Sequence, residues 1–490
     1  MIKLLQVLVS ILLLIPVALY GEGSKQLTPN QSSAALTSTD NDKAGYLAHD
    51  ANLPSATGVS ITSLSFLKAA GFSRNGATYS KDHRLYIRVK AGETLYYGVH
   101  RAIHDQTTAN QANLTITLRR TNAATGEDDA SYVQANTLTA NTKSTRNMLL
   151  VANQNGVIDN ATEASNGPNR AAKGSYAAVT AGYTPLSITN STTTDYDYYV
   201  EFTQEGETTW TDDGRRFSVY DLWDFTVIDA TGAERQGRMR SKLWSFSAGG
   251  TTNVFSKNFN MYPLIPSVDQ SGKYFVKKIE LAGIAPQNFF RFVTNQYGST
   301  TGAGTTIEER RKSQSSQLDY PEMFNFVNNP DATIWSSADA PTYTVSVVNS
   351  CNTNTNGGKA IFTLNTSESS TFLVLINLNG VEGYQPGTAD VLLESTGAKG
   401  TRRLEWNGLN GLGAVVPSGT TINYFFRNNS SSVHFPVWDA EANISGFRTE
   451  DVRPIAGSNY NGLLFWDDSN LPTTSFPAPQ TELFGVVSTA

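Results

Sequence analysis

The 490-residue chain holds a single cysteine, Cys351, so no disulfide can join it to itself. Exported eukaryotic domains of this kind are usually stapled, and the absence favours a bacterial protein with large hydrophobic cores. Charge is also sparse: Asp, Glu, Lys and Arg make up 16% of the chain. The net charge of -6 leaves no basic footprint for nucleic acid. With five histidines, general bases are few. Beyond Tyr20 no long apolar run occurs, so no membrane span is expected in the mature chain. What is plentiful is Gly, Ser, Thr and Asn, together with 10% aromatics. That mixture suits short strands joined by many turns and argues against helical bundles.

The first residues read as a secretory signal. Lys3 supplies the positive charge, Leu4 to Tyr20 is apolar apart from Gln6, Ser10 and Pro16, and Gly21 and Gly23 offer small residues for cleavage. The expected leader covers 1–23, and the mature chain is expected to be exported, at the cell surface or extracellular. No cysteine follows the apolar run, so a lipoprotein anchor is not expected there. Residues 24–60 are polar with little apolar periodicity and read as a flexible leader segment.

From there the pattern is all-β, with about three β-sandwich domains in series, jelly-roll-like or immunoglobulin-like. The first is expected over 61–205. Leu85, Ile87 and Val89 alternate against Arg84, Arg88 and Lys90, and Leu114, Ile116 and Leu118 alternate again. The stretch from Thr121 to Thr193 reads as long polar loops. The second is expected over 206–335. In it Val219–Ile228 is a strong strand, Asp229-Ala-Thr-Gly232 a hairpin turn, Gly237–Phe246 the return, and Tyr274–Leu281 and Phe289–Val293 the rest of a meander. Ile307–Lys312 is the one helix expected. The third covers 336–490. Within it Phe372 to Leu378 is apolar nearly throughout, as a central strand buried on both faces would be. There is no exact internal repeat.

Motifs that carry chemistry are few. His100 and His104 have zinc spacing for a helix, but they lie on a strand pattern that does not align such a pair. No Gly-x-Ser-x-Gly elbow and no phosphate loop is present, and no carboxylate pair stands out. No catalytic residue is therefore assigned, and the chain is not expected to be an enzyme. Calcium is the one cofactor with candidate ligands, in the acidic turns at Asp195, Asp197, Asp212 and Asp213, although no twelve-residue calcium loop occurs. Of the seven tryptophans, Trp223, Trp244, Trp406 and Trp438 lie on or beside strand patterns and are expected in cores. Trp210, Trp335 and Trp466 lie near turns and are the candidates for exposed ligand contact, because aromatic faces stack on sugars.

Near the C-terminus, Trp406-Asn-Gly408 with Val416-Pro-Ser-Gly419 resembles the Trp-Asp-Gly…Pro-Ser-Gly hairpin of the immunoglobulin-like module known from the flagellar hook-capping protein; Asn407 stands where Asp is common. A larger set of segments comprises Arg310-Arg-Lys-Ser313 with Met323-Phe-Asn-Phe-Val-Asn-Asn-Pro-Asp331, Phe435-Pro-Val-Trp-Asp439 with Gly446-Phe447, and Leu464-Phe-Trp-Asp-Asp468. Together, over roughly residues 210–475, they resemble the N-terminal region of large Bacteroidetes cell-surface adhesins of the gliding-motility type, substrates of type 9 secretion. The resemblance implies a structural or adhesive surface protein that meets another surface protein, a glycan or its own copies, and is exported by the type 9 machinery. Such proteins continue into repeats and a C-terminal sorting domain. The expectation is that this chain is the N-terminal part of a longer one or reaches the surface by another route. The alternatives are a carbohydrate-binding protein and, third, a glycan-active hydrolase.

Overall fold

The computed structural model describes residues 21–24, 46–49, 73–74, 77–78, 81–104, 113–141, 150–204, 218–247, 259–281, 284–285, 289–298, 306–313, 321–352, 354, 357–438, 442–443, 446–455, 462–471 and 481–487. It is built almost wholly from antiparallel strands in several separate sheets, as β-sandwich composition predicts.

Two large sheets pack face to face. One runs in the order Val437–Trp438, Phe289–Val293, Leu243–Ser247, Tyr46–His49, Ser218–Ile228, Thr94–His104, Leu186–Thr189, with Glu234–Arg235 beside Ser218–Ile228. The other has nine strands: Arg448–Arg453, Tyr274–Glu280, Asn260–Pro266, Phe324–Phe326, Met239–Ser241, Tyr86–Val89, Tyr196–Gln204, Leu114–Asn122 and Gln134–Leu138. Alternate residues meet between them. Tyr97, Val99, Trp223, Phe225, Trp244 and Phe292 come from the first sheet, and Ile87, Val89, Ile116, Leu118, Val200 and Phe202 from the second. The alternation at Leu85–Val89 and Leu114–Leu118 thus puts its apolar members inward.

This pairing changes the expected organisation. The boundary placed at 205/206 falls inside one sandwich, because Ser218–Ile228 pairs along its length with Thr94–His104 and the two share a core. The expected return strand over 237–246 is two strands in different sheets. Ser241 makes the corner: its hydroxyl donates to Leu243 O (2.8 Å) and accepts from Leu243 N (3.2 Å). Residues 24–60 also do not all form a free leader. Tyr46–His49 lies between Leu243–Ser247 and Ser218–Ile228, and Gly21–Ser24 is buried. The Asp229 turn is as expected, with Thr231 N (2.8 Å) and Ala233 N (3.0 Å) donating to its carboxylate. So is the helix Ile307–Arg311, capped by Thr306 Oγ1, which accepts from Glu309 N. A second short helix, Ala161–Asn166, capped by Asn160, lies in the stretch read as loop.

A smaller sandwich is inserted between Ala338 and Val433, both of which pack in one cluster of the large one. Its sheets are Tyr343–Asn352, Gly357–Thr366, Gly400–Trp406 and Val391–Gly397, Ser370–Asn377, Asn423–Asn429. Ser370–Asn377 is the central strand with both faces covered. Phe372, Val374 and Ile376 face the sandwich interior with Phe362 and Trp406. Leu373 and Leu375 face Phe484 and Phe465 on the ribbon Leu463–Asp467/Thr481–Val487. The expected third domain is therefore interrupted: Val437–Trp438 and Arg448–Arg453 return to edges of the large sandwich.

The Trp406–Gly419 segment is a crossover between the two small sheets, since the strand before it pairs with Gly357–Thr366 and the strand after it with Ser370–Asn377. A miniature hairpin, bridged at Leu409 and Val415, sits inside the crossover.

Candidate functional site

Two places gather polar and aromatic chemistry among the described residues. The first is the outer face of the nine-stranded sheet. Residues that alternate with the core there are Tyr86, Arg88, Asp197, Tyr199 and Arg240, and strand register sets Arg88 opposite Asp197 and Tyr86 opposite Tyr199. Arg88 grips Asp197 with two nitrogens (2.5 and 3.0 Å), and Arg240 adds a third bond (2.7 Å). The two guanidinium groups overcome the penalty of burial and hold the Asp197 carboxyl down at about 2. Arg240 also lies over Phe324 (4.8 Å) and Trp335 (5.0 Å), and Arg88 over Trp335 (5.4 Å). Beside them Arg84 holds Asp128 (2.9 and 3.2 Å) and covers Tyr199 at 3.9 Å.

This corrects two expectations. Asp197 is not an open oxygen donor for calcium, because both its oxygens are occupied by arginine. Its neighbour Asp195 accepts from Ala91 N (2.9 Å) in a turn, which places the two carboxylates on different partners. Trp335 is not an exposed platform. It is 5% exposed, set edge-on to Phe326 at 4.9 Å, and serves as a lid over the arginines. Trp466 is half-buried on the C-terminal ribbon. Trp210, Asp212 and Asp213 lie outside the described residues. Among the described residues no group of three potential metal ligands converges. His100 is bound through Nδ1 to buried Asp221 (2.6 Å), a pairing the sequence spacing did not suggest; against the lowering effect of burial, Asp221 and more weakly Asp159 raise its pKa.

The second place is a cleft of about 630 Å³ where the large sandwich meets the small one, lined by Phe275, Lys277, Arg311, Arg427, His434 and Asp451 among others. Cations predominate. Lys277 pairs with Asp451. Arg311 approaches Glu394 at 3.4 Å and lies over Phe465 (5.2 Å), while Arg427 lies over Phe484 (4.9 Å). Burial lowers the pKa of Arg311 and raises that of Glu394. Burial, then the charges of Arg310 and Arg311, push His434 down to about 4. Its main chain is fixed by reciprocal bonds with Asn295 (3.0 and 2.8 Å). His434 is thus a neutral histidine at the root of the insertion.

The sign of its pH effect follows. The unfolded imidazole takes up a proton near 6.5, whereas the folded one does so only near 4, so stability is lost as pH falls from 6.5 towards 4. His434→Gln is expected to flatten that part of a melting-temperature-versus-pH curve. An unchanged curve would remove His434 as its source.

Searched against protein-family models the chain matches none, and no curated protein is significantly similar to it.

Proposed function

We propose that the chain is an exported structural and adhesive protein of a bacterial cell surface, non-enzymatic, and part of a long gliding or attachment adhesin of the kind its motifs resemble. The observation that carries this reading is the manner of joining. The small sandwich is inserted in the large one through two connections, and its central strand is closed on the outer face by a ribbon that follows the large sandwich's last strand. Tension on the chain would load paired strands and packed aromatic cores together, which suits a rigid element that holds a contact surface away from the cell. The partner would be another surface protein, a glycan or a second copy, and type 9 export follows from the resemblance alone. The test is attachment of cells in flow with the gene deleted and restored, together with protease accessibility on intact cells. Full attachment without the protein would sink the adhesive reading.

Aromatic contact makes a narrower prediction. Replacing Trp210 and Trp466 together by Ala is expected to lower attachment several-fold at unchanged surface level; intact attachment excludes these two as contacts. A carbohydrate-binding reading comes second, favoured by the cationic cleft with its Asn428–Ser432 amides and hydroxyls, which would take an acidic sugar. Binding of glucuronate or sialic acid abolished by Arg427→Ala would promote it.

A further inference from the structure

The segment Gly21-Glu-Gly-Ser24, where the apolar leader ends, is built into the large sandwich. Glu22 and Ser24 are both 0% exposed. The main chain runs along Ser218–Ile228: Phe225 N donates to Glu22 O (2.8 Å), Trp223 N donates to Ser24 Oγ (3.2 Å), and Gly23 bridges Asp224. Gly23 fits because it has no side chain; a Cβ there would stand 2.3 Å from Trp223 O. The Glu22 side chain reaches the other sheet. One oxygen accepts from Gly237 N (2.9 Å) and Asn328 Nδ2 (3.2 Å), the other from Arg238 N (2.8 Å) and Met239 N (2.9 Å). Four donors and no acceptor converge on this carboxyl group, three of them consecutive main-chain amides; full burial outweighs their pull and raises its pKa to about 7. Arg238 carries the connection further, to Glu93 (2.8 and 3.0 Å) and Asp331 (3.0 Å).

The best small-x-small pattern after the leader is Gly21-Glu-Gly23, which directs cleavage after Gly23 and would discard Glu22 with the signal. Removing Glu22 would leave three buried N–H groups without their acceptor, the costly way to lose a hydrogen bond. We propose that the leader is instead cut no later than the Gly21–Glu22 bond, and that Glu22 is retained as an internal acceptor plug joining the two sheets. The step is hydrolysis by a leader peptidase: water gives its hydroxyl to the carboxyl end of the released leader and a proton to the new amine of the mature chain. The inference rests on the export reading and adds the processing site to it.

The experiment is N-terminal sequencing and intact mass of the protein recovered from the envelope or medium of cells that export it. A mature chain beginning at Glu22 or at a residue shortly before it supports the proposal, whereas one beginning at Ser24 or later overturns it. A chain still beginning at Met1 overturns the export reading itself, and the proposal with it. The plug role is read separately on the purified mature protein. Glu22→Gln sets an NH₂ against amide donors and is expected to lower the melting temperature by roughly 5–10 °C. An unchanged melting temperature denies Glu22 that role. Sequencing of the wild type still decides the cleavage position if the variant does not accumulate.

Discussion

Asp197→Ala is expected to destabilise the large sandwich by about 3–5 kcal/mol, the usual effect of removing one partner from a buried charge cluster. The reason is what remains. Arg88 and Arg240 would face each other beneath Trp335 with the shared carboxylate gone, and Arg240 has no other carboxylate within bonding distance among the described residues. Asp197→Asn keeps the shape but removes the charge and turns donors toward donors, so it is expected to recover less than half of the loss. Both are read by urea denaturation, and a change below about 1 kcal/mol for the alanine variant would mean the cluster contributes little. The same carboxylate gives an acid signature. Its folded pKa is about 2 against 3.8 unfolded, so the stability it contributes is fully present above about pH 4 and is lost as pH falls towards 2. That difference corresponds to roughly 2 kcal/mol. The acid limb should therefore be shallower in Asp197→Asn, and its position should be unaffected by His434→Gln, which acts between pH 6.5 and 4.

The arginine cluster also marks where reading the chain residue by residue stops. Alternation at Leu85–Val89 tells which side chains turn inward, and they do. It says nothing about which distant strand lies beside them. Arg88 and Asp197 are 109 positions apart, and only sheet register brings them opposite each other. Asp195-Tyr-Asp197 therefore looks like a calcium turn when the arginines are out of view. Trp335 misleads for a related reason: it lies in a loop, and loops are usually at the surface, but this loop folds back over the sheet to cover Arg88 and Arg240. The division into domains fails at 205/206 because composition does not change where the chain crosses from one sheet to the other. The centre of the small sandwich gives no such trouble. The run from Phe372 to Ile376 is legible as a strand covered on both faces because only burial on both sides permits an uninterrupted apolar sequence. Glu22 had no legible signal: one carboxylate beside two glycines reads as a cleavage region, and its amide partners come from 237–239 and 328.

Gly408→Ala is the second large effect, and it explains why the Trp-Asn-Gly motif carries a glycine. Gly408 has φ +85°, a conformation that disfavours any side chain, and a Cβ would stand 1.8 Å from Gly358 O in the neighbouring strand. Neither side yields easily, because both are main chain. Gly408 O accepts from Val416 N (2.9 Å), Leu409 N donates to Asn407 Oδ1 (3.0 Å), and Trp406 Nε1 donates to Leu409 O (2.7 Å). Asn407 thus makes the turn's side-chain bond through a carbonyl oxygen, which an Asp carboxylate would also supply, so Asn407→Asp is expected to be nearly neutral. The alanine at 408 must either push the crossover off Gly357–Thr366 or pull Trp406 out of the core it shares with Phe362 and Phe372. Left-handed strain alone is worth about 1–3 kcal/mol, and the displacement of packed backbone adds to it, so a total of roughly 3–5 kcal/mol is expected. The change should be confined to the small sandwich. Hydrogen exchange should accelerate over 357–366 and 400–429 while the amides of Ser218–Ile228 stay protected. Equal acceleration in both sandwiches would mean that they unfold as one unit, and that the insertion is held as firmly by its neighbour as by its own core.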